Sequence, residues 1–282
     1  MGLKDWLLRS GRNSGSADIA GCYADIQRWE DIYNGGGDWR YARRGGIQGG
    51  TRKLASLGAA RALCGELARL CFTEGTSMCY SDSDTESFVN RVLTESRFSE
   101  RFPVFLEKVF ALGGGVIKVY YDDSAPDGVP GVRVDLVTAD CFLPTAWNSR
   151  EITGGAFASR IVSGGRNYIL AESQELSGDQ LTIENRLFRE DGGKADMTSV
   201  LPGLSGQSSV KGLTAPLFVY LSAGSRRAAS SGECPLLGSS VFDGAEDTLK
   251  SIDIVFDSLS REFVLGKKRI IVPAYAVRGE WD

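Results

Sequence analysis

The chain of 282 residues contains no histidine. That absence removes the commonest general base, the commonest zinc ligand and the usual partner of a serine or cysteine nucleophile. Positive charge is not in excess either: 32 Lys and Arg face 36 Asp and Glu, a net charge of −4. Proteins that grip nucleic acid draw most of their affinity from neutralised phosphates, so the chain as a whole is not built to hold DNA tightly. No apolar run approaches the ~18 residues of a membrane span, and the first residues lack the apolar stretch of a signal peptide. The expectation is a protein made in a cytosol, soluble there and without a membrane partner. Cys22, Cys64, Cys71, Cys79, Cys141 and Cys234 form no CxxC pair and match no zinc or redox spacing. They read as reduced, mostly buried thiols.

Two further motifs fail on inspection. LGGGVIK at 112–118 lacks the GxxxxGK[ST] pattern, and its glycines follow a helix and precede a strand, the reverse of a phosphate loop. A helix C-cap turning into a strand accounts for it. SDSDTE near Asp82 resembles the start of a calcium loop, but a sixth-position glycine is missing and the twelfth position is Leu93. The pair Asp122–Asp123 sits in DDSAPDG, which reads as a hairpin loop. No metal, no cofactor and no catalytic residue is expected.

What the chain does have is glycine, 35 residues against a usual ~7%, and one very regular segment. From Ser239 to Gly266, apolar residues recur at Phe242, Ala245, Leu249, Ile252, Phe256, Leu259 and Phe263. Alternating steps of three and four place these side chains on one narrow stripe of a long helix. Glu246 and Asp247 favour its N-terminal dipole. Asp243, Asp253, Asp257 and Glu262 form an acidic side, able to meet cations within one chain or between copies. Lys267, Lys268 and Arg269 follow; they balance the C-terminal dipole or meet phosphates or a neighbour's carboxylates.

Upstream, residues 1–50 read as an N-terminal arm. MGLKDWLLRS is a short amphipathic helix with Leu3, Trp6 and Leu7 on one face. A second helix spans Tyr23–Tyr33, with Ile26, Trp29 and Tyr33 as its apolar edge. YNGGGDWRYARRGGIQGG follows, too poor in aliphatic residues to pack alone. Residues 51–235 read as an α+β domain. Its helices are expected at Thr51–Phe72, Glu86–Glu95 and Ser99–Leu112, with Gly58 and Gly65 of the first allowing another backbone close. A strand is expected at Ser77–Ser81. Further strands are expected from Gly115, at Val132–Leu136, Ala156–Val162, Asn167–Glu175, Gln180–Arg189 and Leu217–Leu221, paired antiparallel because no helices intervene. ADCFLPTAWN and residues 203–214 and 222–238 read as loops. Residues 236–282 hold the long helix and a following strand.

Several blocks together resemble the portal proteins of tailed bacteriophages that infect Gram-positive bacteria. AEDTLKSIDIVFDSLSREFVLGKKRIIVP is similar to their pattern D.L..LD..FD...REF..GK.RI.VP. WEDIYNG at 29–35 with Trp39, LGAARALCGELARLCFTE at 57–74, FLEKVFALGGGVIKVYYD at 105–122 and VDLVTADCFLPTAWNSREITGGAFASR at 134–160 resemble further blocks in the same order. Such portals usually continue beyond the VP strand, so this chain is expected to be C-terminally short, lacking the rest of the channel helices and the crown.

The resemblance implies a portal-like α+β fold: a wing of mixed helices and antiparallel sheet, followed by a long stem helix. It implies a non-catalytic homo-oligomeric ring, typically a dodecamer, at a capsid vertex of the virion, assembled in the host bacterial cytoplasm. Double-stranded DNA would pass through it during packaging and ejection. The implied partners are the terminase, the scaffold or major capsid protein and a head–tail adaptor. Oligomer or channel contacts are expected at Asp253, Asp257, Glu262, Lys267, Lys268 and Arg269. An acidic chain suits a channel in which DNA must slide. The alternative is a minor capsid or head–tail connector protein that shares the wing. A carboxylate nuclease using Asp122, Asp123 and Asp140 has no spacing to support it.

Overall fold

Residues 19–44, 50–73, 76, 78–80, 82–123, 125–126, 129, 131–224 and 236–266 are described by a computed structural model. Their helices are α1 (Ile19–Tyr33), α2 (Ala59–Cys71), α3 (Ser83–Glu95), α4 (Phe98–Leu112), the short α5 (Met197–Val200) and α6 (Glu246–Leu265). The strands are β1 (Tyr41–Arg44), β2 (Gly50–Lys53), β3 (Gly114–Tyr121), β4 (Val132–Thr138), β5 (Phe142–Trp147), β6 (Ile152–Ser163), β7 (Arg166–Ser177), β8 (Gln180–Arg189), β9 (Gln207–Lys211) and β10 (Phe218–Ser222). All pairings are antiparallel: a β1–β2 ribbon, a sheet ordered β10-β3-β4, and a meander from β5 to β9. The fold is thus α+β.

Alternation along β3 builds the layers. Its side chains point to opposite faces in turn. Ile117 joins Leu136 against Phe105, Leu106 and Val109 of α4. Val116 points the other way, into a cluster with Val137, Phe142, Phe157 and Phe218 between the two sheets. Phe157 and Phe218 meet edge to face with centroids 5.3 Å apart, a preferred aromatic geometry. Lys118 shares the inner face and is buried. Its Nζ lies 5.0 Å from the Phe157 centroid and 2.8 Å from Oε2 of Glu172 on β7. Gln174 donates to the other oxygen of Glu172 at 2.6 Å, so this buried ion pair is embedded in hydrogen bonds, as such pairs must be.

α1 belongs to the core. Tyr23, Ile26, Trp29, Ile32 and Tyr33 bury with Cys64 of α2, Leu112 of α4, Ile169 of β7 and Phe242. The apolar edge expected for this helix is the edge that packs. At the end of α4, Gly113 has φ 85° and caps the helix in the left-handed conformation. A Cβ there would stand 2.6 Å from the carbonyl oxygen of Gly238. The close approach expected at Gly58 and Gly65 occurs instead at this glycine pair: Gly58 has open space, and Gly65 meets only the Glu107 side chain at 3.9 Å.

Five local expectations are corrected. Residues 51–53 are strand, not helix, and α2 starts at Ala59 because Gly58 takes φ 69° and breaks the helical path. Met78–Tyr80, the described part of the expected Ser77–Ser81 strand, lies in no ladder. ADCFLPTAWN is no loop: a 3-10 turn at Ala139–Cys141 leads into β5, an edge strand where Pro144 is tolerated. Residues 207–211 form β9, fully exposed along its length and joined to β8 by backbone pairing. The long helix begins at Glu246, because Gly244 at φ 79° closes a turn; Phe242 drops into the core and leaves the stripe. Among the described cysteines, Cys22 and Cys64 are buried, Cys141 is half-buried, and Cys71 and Cys79 are exposed against expectation, being at a helix end and in an irregular stretch. The amphipathic helix at MGLKDWLLRS, Cys234, the basic run Lys267–Arg269 and the strand after it lie outside the described residues. Among those described, no helix is long and apolar enough to cross a membrane.

Candidate functional site

The site residues expected on α6 fall on two different faces. Asp253 and Asp257 are one helical turn apart and therefore share a face. They are only 6% and 5% exposed. They are the most buried of the helix's described side chains, and both look inward at residues 39–40 and 52–57 of the same chain, together called the strap below.

That segment is shaped upstream. The turn after α1 uses Gly35 (φ 74°) and Gly37 (φ 111°), and the Asp31 carboxylate accepts the Gly37 N–H at 2.6 Å. A side chain on Gly36 would strike that carboxylate. The turn delivers Trp39 and Arg40 to α6. Trp39 Nε1 donates to Asp253 Oδ2 at 3.1 Å, and the Leu57 N–H donates to Oδ1 at 3.1 Å. Arg40 is buried, with Nη1 3.8 Å from Asp253 Oδ2; its Nε and Nη1 make no hydrogen bond. One turn further on, Arg52 of β2 engages Asp257 with both Nη atoms, each at 2.6 Å, and the Ala55 N–H adds a bond of 2.8 Å. A planar guanidinium matches a carboxylate in this bidentate form. The hydrogen bonds from Arg52 first, and that from Ala55, draw the Asp257 carboxyl down to about 2.

Every oxygen of the two carboxylates therefore accepts a hydrogen bond from the strap. The arrangement fixes the position and rotation of α6. It also accounts for residues 54–57 lying in no helix: the N–H groups of Ala55 and Leu57 serve α6, and that of Leu54 serves the Arg40 carbonyl at 2.7 Å. The start of α6 is tied separately, by Arg28 of α1 to Glu246 at 3.0 Å and to Asp243 at 3.8 Å.

The other face of α6 is apolar and open. Val255, Leu259 and Phe263 follow one another at i, i+4 spacing with exposures of 66%, 51% and 78%. The heptad stripe is thus split. Leu249, Ile252 and Phe256 are half-buried, and its distal members face solvent. Glu262 is exposed beside them.

Asp82, Asp122 and Asp140 have local partners. Asp82 caps α3 by accepting from Thr85 N at 2.9 Å. Asp122 lies 3.8 Å from Arg133, and Asp140 accepts from the Cys141 thiol at 3.5 Å. Among the described residues, no group of three Cys, Asp or Glu side chains is placed to hold a metal ion. Trp39 was visible in sequence only through the portal resemblance. Arg40 and Arg52 carried no signal of their own: Arg40 lies in a Gly/Arg-rich stretch, and Arg52 falls on the polar side of the helix expected from Thr51. No family model and no curated protein matches the chain.

Proposed function

We propose that this chain is a phage portal protein, a non-catalytic subunit of a ring at the capsid vertex through which double-stranded DNA is packaged and ejected. In this reading the α+β body is the wing and α6 is the stem helix. The observation that carries it is the pairing of opposite faces on α6. One face is fixed by directional bonds to the strap, and the other offers Val255, Leu259 and Phe263 to a neighbour. A helix held in fixed rotation with an exposed apolar ridge suits a repeated, heterologous contact between identical subunits. The partners of such a ring are the terminase, the capsid or scaffold protein and a head–tail adaptor, and its place is the virion. Native mass spectrometry and negative-stain imaging test the reading. Closed rings are expected, and Leu259→Asp with Phe263→Asp should dissolve them while leaving the thermal midpoint of the subunit nearly unchanged. Monomers alone at every concentration would count against it, and an open chain or dimer would favour the connector reading.

A further inference from the structure

A cavity of about 230 Å³ lies between the start of β6 and β10. Its buried lining is Ile152, Phe218 and Leu236, and Val219, 67% exposed, stands at its mouth. β10 is the end strand of its sheet, and among the described strands none pairs with its outer side. The rim carries both signs, Arg150 and Glu151, so charge selects nothing there and apolar contact decides what enters. Small-molecule pockets usually run to ~300–1,000 Å³. This cavity is smaller, yet one of ~150 Å³ already takes a benzene ring. It has room for one large side chain, an indole in particular.

What reaches the cavity is set by how the chain is connected. Ile152, Phe218 and Leu236 share one cluster with Cys22, in the first turn of α1. Residues 1–18 lie outside the described part of the chain and join the body at this point. They include Leu3, Trp6 and Leu7, which a helix places on one face. Twelve residues separate Trp6 from Ile19, a reach of up to ~40 Å. That is ample for a cavity in the same cluster as Cys22. The other segments outside the description suit it less. Residues 225–235 border it directly, but SRRAASSGECP holds no aromatic or branched aliphatic residue. Residues 267–282 carry Tyr275 and Trp281. However, α6 begins beside Arg28, in the later half of α1, and runs on past Trp39 and Arg52. Those residues therefore start beyond the end of α1 that is far from Cys22.

We propose that the cavity between β6 and β10 holds the Trp6 side chain of the same chain, so that the N-terminal arm docks on its own body. An indole brings a large apolar surface with little rotamer freedom to lose. The tether keeps it at high effective concentration, so a shallow pocket suffices. The inference goes beyond the ring reading and is independent of it, since a monomer would show the same contact.

The test uses the full chain labelled with 5-fluorotryptophan and followed by fluorine-19 NMR. The Trp6 signal is assigned by its loss in Trp6→Phe, and a soluble gadolinium chelate reports its access to solvent. In the wild type the chelate should broaden the Trp6 signal at least fivefold less than in Val219→Arg or Ala215→Arg. Both substitutions crowd the mouth from exposed positions, and unchanged Trp29 and Trp39 signals show that the body is folded. Equal access to Trp6 in all three chains would overturn the inference. So would protection that survives both mouth substitutions, which would place Trp6 elsewhere. Mixing decides whose arm is bound. Fluorinated Val219→Arg chains are combined, at equal and dilute concentrations, with unlabelled Trp6→Ala chains, whose cavity is open. A Trp6 signal that stays accessible upholds docking within one chain. A signal that regains protection shows exchange between copies and overturns it.

Discussion

α4 and α6 are two long helices attached by opposite means. α4 buries Phe105, Leu106, Val109, Ala111 and Leu112. Among the described side chains of α6, the two fully buried are Asp253 and Asp257. Apolar burial is strong but non-directional, so it holds α4 close without fixing every angle. Hydrogen bonds to carboxylates are directional and short, so they hold α6 in one rotation while burying little of it. A core helix needs the first kind of attachment. A helix that presents a ridge to something else gains more from the second.

This contrast can be broken by measurement, and the largest effect is expected in α4. Leu112→Ala should cost about 2–5 kcal/mol in urea denaturation, from lost transfer energy and the cavity left behind. A cost below ~1 kcal/mol would mean that α4 is not held by packing. The next effect is Asp253→Ala. It leaves Trp39 Nε1 and the Leu57 N–H without their acceptor, at about 1–3 kcal/mol. Hydrogen exchange should quicken across α6 first, with α4 still protected. Equal protection in both helices would remove the distinction between them.

The subtlest test is acid. The Asp257 carboxyl is drawn down to about 2 by Arg52 and Ala55, below the ~3.9 of an unperturbed aspartate. A group whose folded value is lowered contributes stability that is fully present above the unfolded value and lost as pH falls through the folded one. Protection of α6 should therefore hold down to about pH 4 and fade as the pH approaches about 2. A carbon-13 titration of the Asp257 carboxyl should show its midpoint at the low end of that window. Asp257→Asn should remove the α6 component of the acid response. A midpoint near 4 would show that the bidentate contact is absent in solution.

Much of the body could be read ahead of the structure because burial there is periodic. Val116 and Ile117 alternate, Trp29 and Tyr33 lie on one edge of α1, and Gly164–Gly165 between β6 and β7 and Gly178 between β7 and β8 announce hairpins. β9 could not be read, since all five of its side chains face water and its place is set by backbone bonds to β8. The strap was hidden for another reason. Residues 51–58 have helical spacing, and what overrides it is a long-range demand: Asp253 and Asp257, some two hundred residues away in sequence, take the N–H groups of Leu57 and Ala55. The same fact hid the candidate site. Asp253 and Asp257 stood out as acidic positions on a helix, but their inward direction depends on Trp39, Arg40 and Arg52 being folded over them. An ion pair leaves no periodic trace in either of the segments it joins.

The clamp on α6 also has a mechanical meaning. Its bonds cross from the strap to the helix at two levels, separated by about 6 Å along the axis. A pull directed along the axis of α6 loads all of these bonds together, in shear. A pull that lifts the strap at Trp39 peels them one level after another. The joint should therefore resist axial tension far better than lateral peeling, and force spectroscopy with handles at residue 39 or at residue 266 would show the two thresholds. If α6 serves as the proposed stem helix, that anisotropy is the property to preserve.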